Sequence, residues 1–121
     1  MSSVRTFRDL IAWQKGMALA KLIYVWTNGL PAEEQFGLTS QMRRCAVSIP
    51  SNIAEGHARQ SRPDYLKHLR FARGSLAELE TQFELVVELN LLVADPALRE
   101  HLRETDRVLQ GLIRSLENKQ A

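Results

Sequence analysis

Residues 43–59 read RRCAVSIPSNIAEGHAR. The stretch decides the fold because a proline stands inside an apolar pattern of helical spacing. Leu38, Met42, Cys45, Ile49, Ile53 and Gly56 recur at intervals of three and four across Pro50, the period of one helix face. A proline within a helix removes one backbone hydrogen bond and crowds the carbonyl four residues earlier, here that of Ala46. An apolar stripe that continues past it predicts a kinked helix over residues 38–57, with breakage into two helices as the alternative. Arg44, Ser48, Ser51 and Glu55 form a second, polar stripe. Ser51 and Asn52 flank the proline, and their side chains can satisfy backbone groups that it frees. Ser48, Ser51, Asn52 and Glu55 therefore read as a polar network supporting the kink, with ligand binding as the rival reading. The small residues around Pro50 let another helix approach.

Outward from this stretch the chain reads as helices with no strand alternation. Thr6 and Asp9 resemble a capping box that opens a helix over residues 6–27, and Asn28-Gly29 is a stop signal. Its C-terminal half is apolar nearly all round, so it requires cover on more than one side. Pro31, Glu33 and Glu34 suit a short first turn before Gly37. Ser61, Pro63 and Asp64 start a third helix over residues 62–92, where Leu69, Ala72, Leu76, Leu79, Phe83 and Val86 form a heptad-like seam. Asp95-Pro96 is an N-cap and first-turn pair for a last helix over residues 95–117, carrying Leu98, Leu102, Thr105, Leu109, Leu112 and Leu116. Short connections between four helices predict an all-α fold, an antiparallel up-down four-helix bundle with a proline-kinked second helix, in a single domain over residues 1–121.

The bulk properties agree with a globular domain: 121 residues, 45% hydrophobic, 25% charged, formal charge +2. One cysteine excludes an intrachain disulfide and a cysteine-based metal site. The opening MSSVRTFRDLIAWQKG lacks an apolar signal core, and no stretch approaches the roughly 18 apolar residues of a spanning helix. The expected compartment is the cytoplasm, with no membrane partner. Catalytic patterns are missing too. No Glu-x-x-His occurs, as a di-iron bundle requires. Asp64 and His68 are four apart and read as a local helix-surface contact. Cys45 lies in an apolar stripe without a histidine base and reads as packing. The expectation is a protein that is not an enzyme and holds no metal or cofactor.

Two surface features point to partners instead. The third helix carries Phe71, Leu85, Leu89 and Leu92 in a narrow arc away from its seam. With the extra stripes of the first helix, this exceeds what one bundle can cover, and such patches mark interaction surfaces. Self-association through the first helix and the C-terminal half of the third is the expectation; cover by loops is the alternative. Charge is also segregated. Residues 59–74 hold Arg59, Arg62, Lys67, Arg70 and Arg73 against Asp64, a balance of +4, whereas residues 75–100 sum to −5. The positive segment reads either as a phosphate-binding patch or as a solvated face with internal ion pairs.

At QMRRCAVSIPSNIAEGHAR the sequence resembles the signature of bacterial four-helix-bundle proteins named for intervening sequences of 23S ribosomal RNA. FRDLIAWQKGMALAKLIY, LPAEEQFGLTSQMRRCAVSIPSNIAEG and YLKHLRFARGSLAELETQFELV extend the likeness from Phe7 to Leu92. The resemblance implies a bundle that assembles as a homopentamer. It also implies kinship with the accessory variability determinant of diversity-generating retroelements, a basic pentameric barrel that binds nucleic acid and a reverse transcriptase. By position, Arg43, Arg44, Asn52, Glu55 and Arg59 fall in the signature. The resulting expectation is a non-enzymatic homo-oligomer that binds structured RNA or DNA through Arg43, Arg44, Arg59, Arg62, Lys67, Arg70 and Arg73. The alternative is an interaction scaffold or accessory subunit, in which charge segregation orders neighbouring subunits.

Overall fold

A computed structural model describes residues 4–119. Four helices make up most of the described chain: α1 (Ile11–Thr27), α2 (Leu38–Ala58), α3 (Arg62–Glu88) and α4 (Pro96–Asn118). No strand occurs among the described residues. Consecutive helices pack on one another and α4 closes back on α1, so the four form an up-down square. The core is built from the predicted stripes. Leu19 and Ile23 of α1, Met42, Ile49 and Ile53 of α2, Leu69, Leu76, Leu79 and Phe83 of α3, and Leu109 of α4 are all fully buried.

α2 continues unbroken through Pro50, whose ring packs beside Gly16 of α1. An added Cβ at Gly16 would touch both Ile49 and Pro50 at 3.4 Å. The small residue thus lets α1 lie close where the proline sits. On its other side, Gly56 meets α3 so tightly that a Cβ would lie 2.7 Å from that of His68.

Helix ends depart from the sequence reading in three places, each with a local cause. The Thr6–Asp9 capping box forms, but it caps a 3-10 turn over Phe7–Asp9. Leu10 is extended (φ −74°, ψ 128°), so α1 starts only at Ile11. α3 ends at Glu88, short of the expected residue 92, because Asn90 takes a left-handed conformation (φ 59°). Leu91 N–H then donates to the Val86 carbonyl and Asn90 N–H to that of Val87, a Schellman closure. At the end of α1, Gly29 does not supply a left-handed stop, since no glycine has positive φ among the described residues. Its smallness serves packing, because a Cβ there would meet Leu92 Cδ2 at 2.9 Å. The other caps form as read: Ser61 accepts from Asp64 N, and Asp95 from Ala97 and Leu98 N. Gly37 offers α2 no side-chain cap, and Glu34 reaches over to accept from Leu38 N at 3.2 Å.

Candidate interaction surface

α1 has an almost uncharged outer face. Its exposed residues are Ile11, Gln14, Met17, Lys21, Tyr24 and Val25, of which Lys21 alone carries charge. Val25 is 69% exposed and Ile11 61%. Between α1 and α2 the surface sinks into a groove of about 650 Å³ walled by Trp13, Met17, Tyr24, Val25, Val47, Pro50 and Ala54. The period of α1 explains this. Leu19 and Ile23 fill the core stripe, and the next apolar residues round the helix have no helix left to meet. The groove runs on past Tyr24 to Arg43, Arg44 and Phe36, the last 89% exposed.

A second apolar strip lies on the outer edge of α3. Phe71, Leu85 and Leu89 are exposed as expected, but Leu92 lies beyond the helix and packs against the core. Glu78 and Glu88 lie along the same edge, at helical spacing from Leu85. This edge adjoins α2, because Glu78 stands beside Cys45.

The seven cations expected to meet nucleic acid stand in different surroundings. Arg43 turns inward: Nε donates to Thr27 Oγ1 at 3.0 Å, and Nη2 to the Tyr24 carbonyl at 3.2 Å and Asn28 Oδ1 at 2.9 Å. It supplies donors and positive charge to the C-terminal end of α1, where carbonyls lack intrahelical partners. Arg70 pairs with Glu117 and Arg73 with Asp106, both across to α4. Arg59 pairs with Glu55 at 2.9 Å. Lys67 lies over the Phe71 ring, 5.9 Å from its centroid. Arg44 and Arg62 take part in no ion pair among the described residues. Arg62 joins Arg5 and His57 in a cleft of about 570 Å³ at the α2–α3 end, whose lining contains no carboxylate.

The polar residues of α2 divide into two clusters. Asn52 Nδ2 donates to the Ser48 carbonyl at 2.9 Å and to Ser48 Oγ at 3.2 Å, and Ser48 Oγ meets Ser75 Oγ of α3 at 2.6 Å. The carbonyl engaged is Ser48's rather than that of Ala46, which Pro50 leaves without its usual donor. Ser51 stands apart from this network and lines the α1–α2 groove. Glu55 faces Arg59 and, at 3.4 Å, His68 Nε2. The Arg59 hydrogen bond, followed by the neighbouring His68, holds the Glu55 carboxyl below its ordinary range. His68 is not the surface group that its spacing from Asp64 suggested. It is buried, and its Nδ1 lies 2.9 Å from the Asp64 backbone carbonyl, not the carboxylate.

Cys45 is buried in the α2 stripe, and burial, reinforced by Glu78, pushes its thiol up to about 11. A thiol so protonated is a poor nucleophile. No group of three or more His, Cys, Asp or Glu residues able to hold a metal occurs among the described residues. Nor is any described helix long and apolar enough to cross a membrane.

Residues 8–113 match the family described as 23S rRNA-intervening sequence protein, and the chain belongs to that family. The fold is similar to a solved structure from Bacteroides thetaiotaomicron, a protein with unknown function from the S23 ribosomal protein family. The identity is 24% and the TM-score 0.75, over 86% of this chain and 96% of that one. No curated protein matches the chain.

Proposed function

We propose that this member of the 23S rRNA-intervening sequence protein family is a non-enzymatic assembly protein whose copies bind one another through α1 and the α1–α2 groove. The observation that carries the reading is the nearly uncharged outer face of α1. Magnitudes decide between this face and the basic segment. Covering one Val- or Leu-sized side chain contributes about 1.5–3 kcal/mol, whereas an exposed ion pair contributes about 0–1 kcal/mol. Ile11, Met17, Tyr24 and Val25 together therefore outweigh what Arg59, Arg70 and Arg73 would gain by leaving the carboxylates that already engage them. The resemblance of the 41–59 signature supports a ring of five. Sedimentation equilibrium tests the proposal. The wild-type chain is expected to sediment as an oligomer, and Met17→Glu with Val25→Glu as a folded monomer with unchanged helical content. A wild-type chain that stays monomeric when concentrated overturns the reading.

A second reading, phosphate contact by RNA or DNA, is favoured by the cleft at the α2–α3 end. Arg5, His57 and Arg62 line it with no acidic neighbour in the lining. Ring assembly would repeat that cleft and raise avidity. Filter binding against structured RNA and duplex DNA across a salt series tests it, since phosphate neutralisation makes affinity fall steeply with salt. Arg62→Glu is expected to weaken binding and flatten that dependence. Absence of binding by the wild-type oligomer at low salt removes this second reading and leaves the first standing.

A further inference from the structure

We infer that the assembly is head-to-tail: the outer edge of α3 in one copy fills the α1–α2 groove of the next. The inference rests on the self-association proposed above and adds which surface meets which. The two exposed apolar surfaces carry charges of opposite sign. The charged residues along the groove and its extension are Lys21, Arg43 and Arg44, all cationic. Along the C-terminal part of the α3 edge, Leu85 and Leu89 are interspersed with Glu78 and Glu88, while Lys67 lies over Phe71 at the far end.

These charges have no ion-pair partner among the described residues of their own subunit, so a neighbouring copy can supply one. Lys15, Arg59, Arg70, Arg73 and Arg99 all reach carboxylates of their own chain. Lys21, Arg44, Glu78 and Glu88 take part in no ion pair among the described residues. Groove against groove would set Lys21 and Arg44 against their own copies. Edge against edge would do the same for the two glutamates. Only groove against edge joins apolar to apolar and positive to negative.

Position along the bundle agrees. α1 and α3 run in the same direction and α2 against them. Lys21 and Val25 lie in the C-terminal half of α1, and Arg44 and Val47 in the N-terminal half of α2. Leu85, Glu88 and Leu89 lie at the C-terminal end of α3. All therefore occupy the same half of the bundle's length, so copies with parallel axes bring them level. The two surfaces are on neighbouring sides of the square, since the α3 edge adjoins α2 through Glu78 and Cys45. Each successive copy is thus turned relative to the last, and a head-to-tail contact that turns closes into a ring when the turns complete a circle and runs on as a filament when they do not.

Complementation between two variants tests the inference. Lys21→Glu with Val25→Glu disables the groove and leaves the edge intact; Leu85→Ser with Leu89→Ser does the reverse without supplying a compensating charge. All four side chains are exposed, so folding is expected to survive, and circular dichroism checks it. Val25→Ser and Leu89→Ser provide a milder pair if either double variant fails to fold. Each variant alone is expected to sediment as a monomer. Mixed in equal amounts, they are expected to form a dimer of one copy each and grow no further, because only one competent contact remains. An edge variant that still forms the wild-type oligomer, or a mixture that stays monomeric, overturns the head-to-tail contact while self-association itself stands. A wild-type chain that is monomeric from the start overturns the self-association reading instead.

Discussion

Arg43 holds the end of α1 by gripping Tyr24 twice. Its Nη2 donates to the Tyr24 carbonyl at 3.2 Å, and its guanidinium lies 4.6 Å from the centroid of the Tyr24 ring. One side chain of α2 thereby closes the C-terminus of α1 and fixes an aromatic wall of the groove. Hydrogen bonds from a charged donor contribute about 1.5–3 kcal/mol where the partners are shielded. Arg43 is half-buried, so Arg43→Ala is expected to cost about 1–3 kcal/mol in urea unfolding. Arg43→Lys is expected to recover less than half, because a lysine lacks the planar fork and stacks less well. A variant as stable as wild type would mean the end of α1 needs no support from α2.

Two helical glycines should respond in opposite directions to the same substitution. At Gly56 a methyl group would lie 2.7 Å from His68 Cβ and 3.3 Å from the Tyr65 carbonyl oxygen. Overpacking of that kind costs about 1–3 kcal/mol, more than the gain of about 1 kcal/mol in helix propensity. Gly56→Ala is expected to lower the melting temperature. At Gly111 nothing lies within 4 Å of an added Cβ. Gly111→Ala is expected to stabilise by about 0.5–1 kcal/mol, read as a rise in melting temperature. Equal shifts would show that the α2–α3 approach at Gly56 is looser than described.

The architecture was legible because its signals are periodic. The seam Leu69, Ala72, Leu76, Leu79, Phe83 and Val86 is buried throughout, and the stripe from Met42 to Gly56 crosses Pro50 intact. The surplus apolar residues Val25, Leu85 and Leu89 were legible for the same reason. Helix ends were less so. Asn90 was a readable left-handed stop, but the leucines after it continued the apolar run and masked it. The charge pattern left two readings open, and the partners of the cations were not legible. Five cations in sixteen residues look like a patch in one dimension, yet Arg70 and Arg73 face α4, where Glu117 and Asp106 await. Those partners lie 47 and 33 residues away, beyond any helical spacing rule. Arg43 was hidden likewise, since its role depends on where α1 ends in space.

Acid should loosen the ends of the bundle before its core. Asp9 accepts from Arg5 N at 2.8 Å and from Thr6 N at 3.3 Å, and these bonds hold its carboxyl below the ordinary 3.8. Glu55 and Glu104 are likewise held below 4.5, by Arg59 first and by Lys15 first. A carboxylate depressed in the folded state stabilises above its unfolded value and loses that contribution as pH falls through the folded one. Glu80 acts oppositely, since burial and then Asp106 raise it. Asp9, Glu55 and Glu104 therefore lose their contributions as pH falls below the ordinary carboxylate range of 3.8 to 4.5, while protonation of Glu80 partly offsets the loss. Asp9→Asn is expected to reduce the slope of urea midpoint against pH in that window. An unchanged slope would show that the capping box contributes nothing to acid sensitivity.

Cys45 offers a readout of whether α2 and α3 stay closed. Its thiol rises from an ordinary 9.0 to about 11, with burial as the main cause and Glu78 the next. At pH 8 that leaves about one thiolate per thousand folded chains, against about one in ten once unfolded. Alkylation at pH 8 is therefore expected to run about tenfold slower in the folded protein once the higher nucleophilicity of a more basic thiolate is allowed for, and shielding slows it further. The reaction should accelerate with urea along the unfolding curve. The same shift has a sign for stability. A folded pKa above the unfolded value gives a contribution that is complete below 9.0 and lost as pH rises through about 11. Glu78→Gln removes the neighbouring carboxylate, so the thiol is expected to fall part of the way toward its ordinary value and react faster, burial holding the rest of the rise. If the wild-type thiol reacts in buffer as fast as in urea, then the α2–α3 seam opens at Cys45. The tight approach of Gly56 to His68 would have to be relaxed with it.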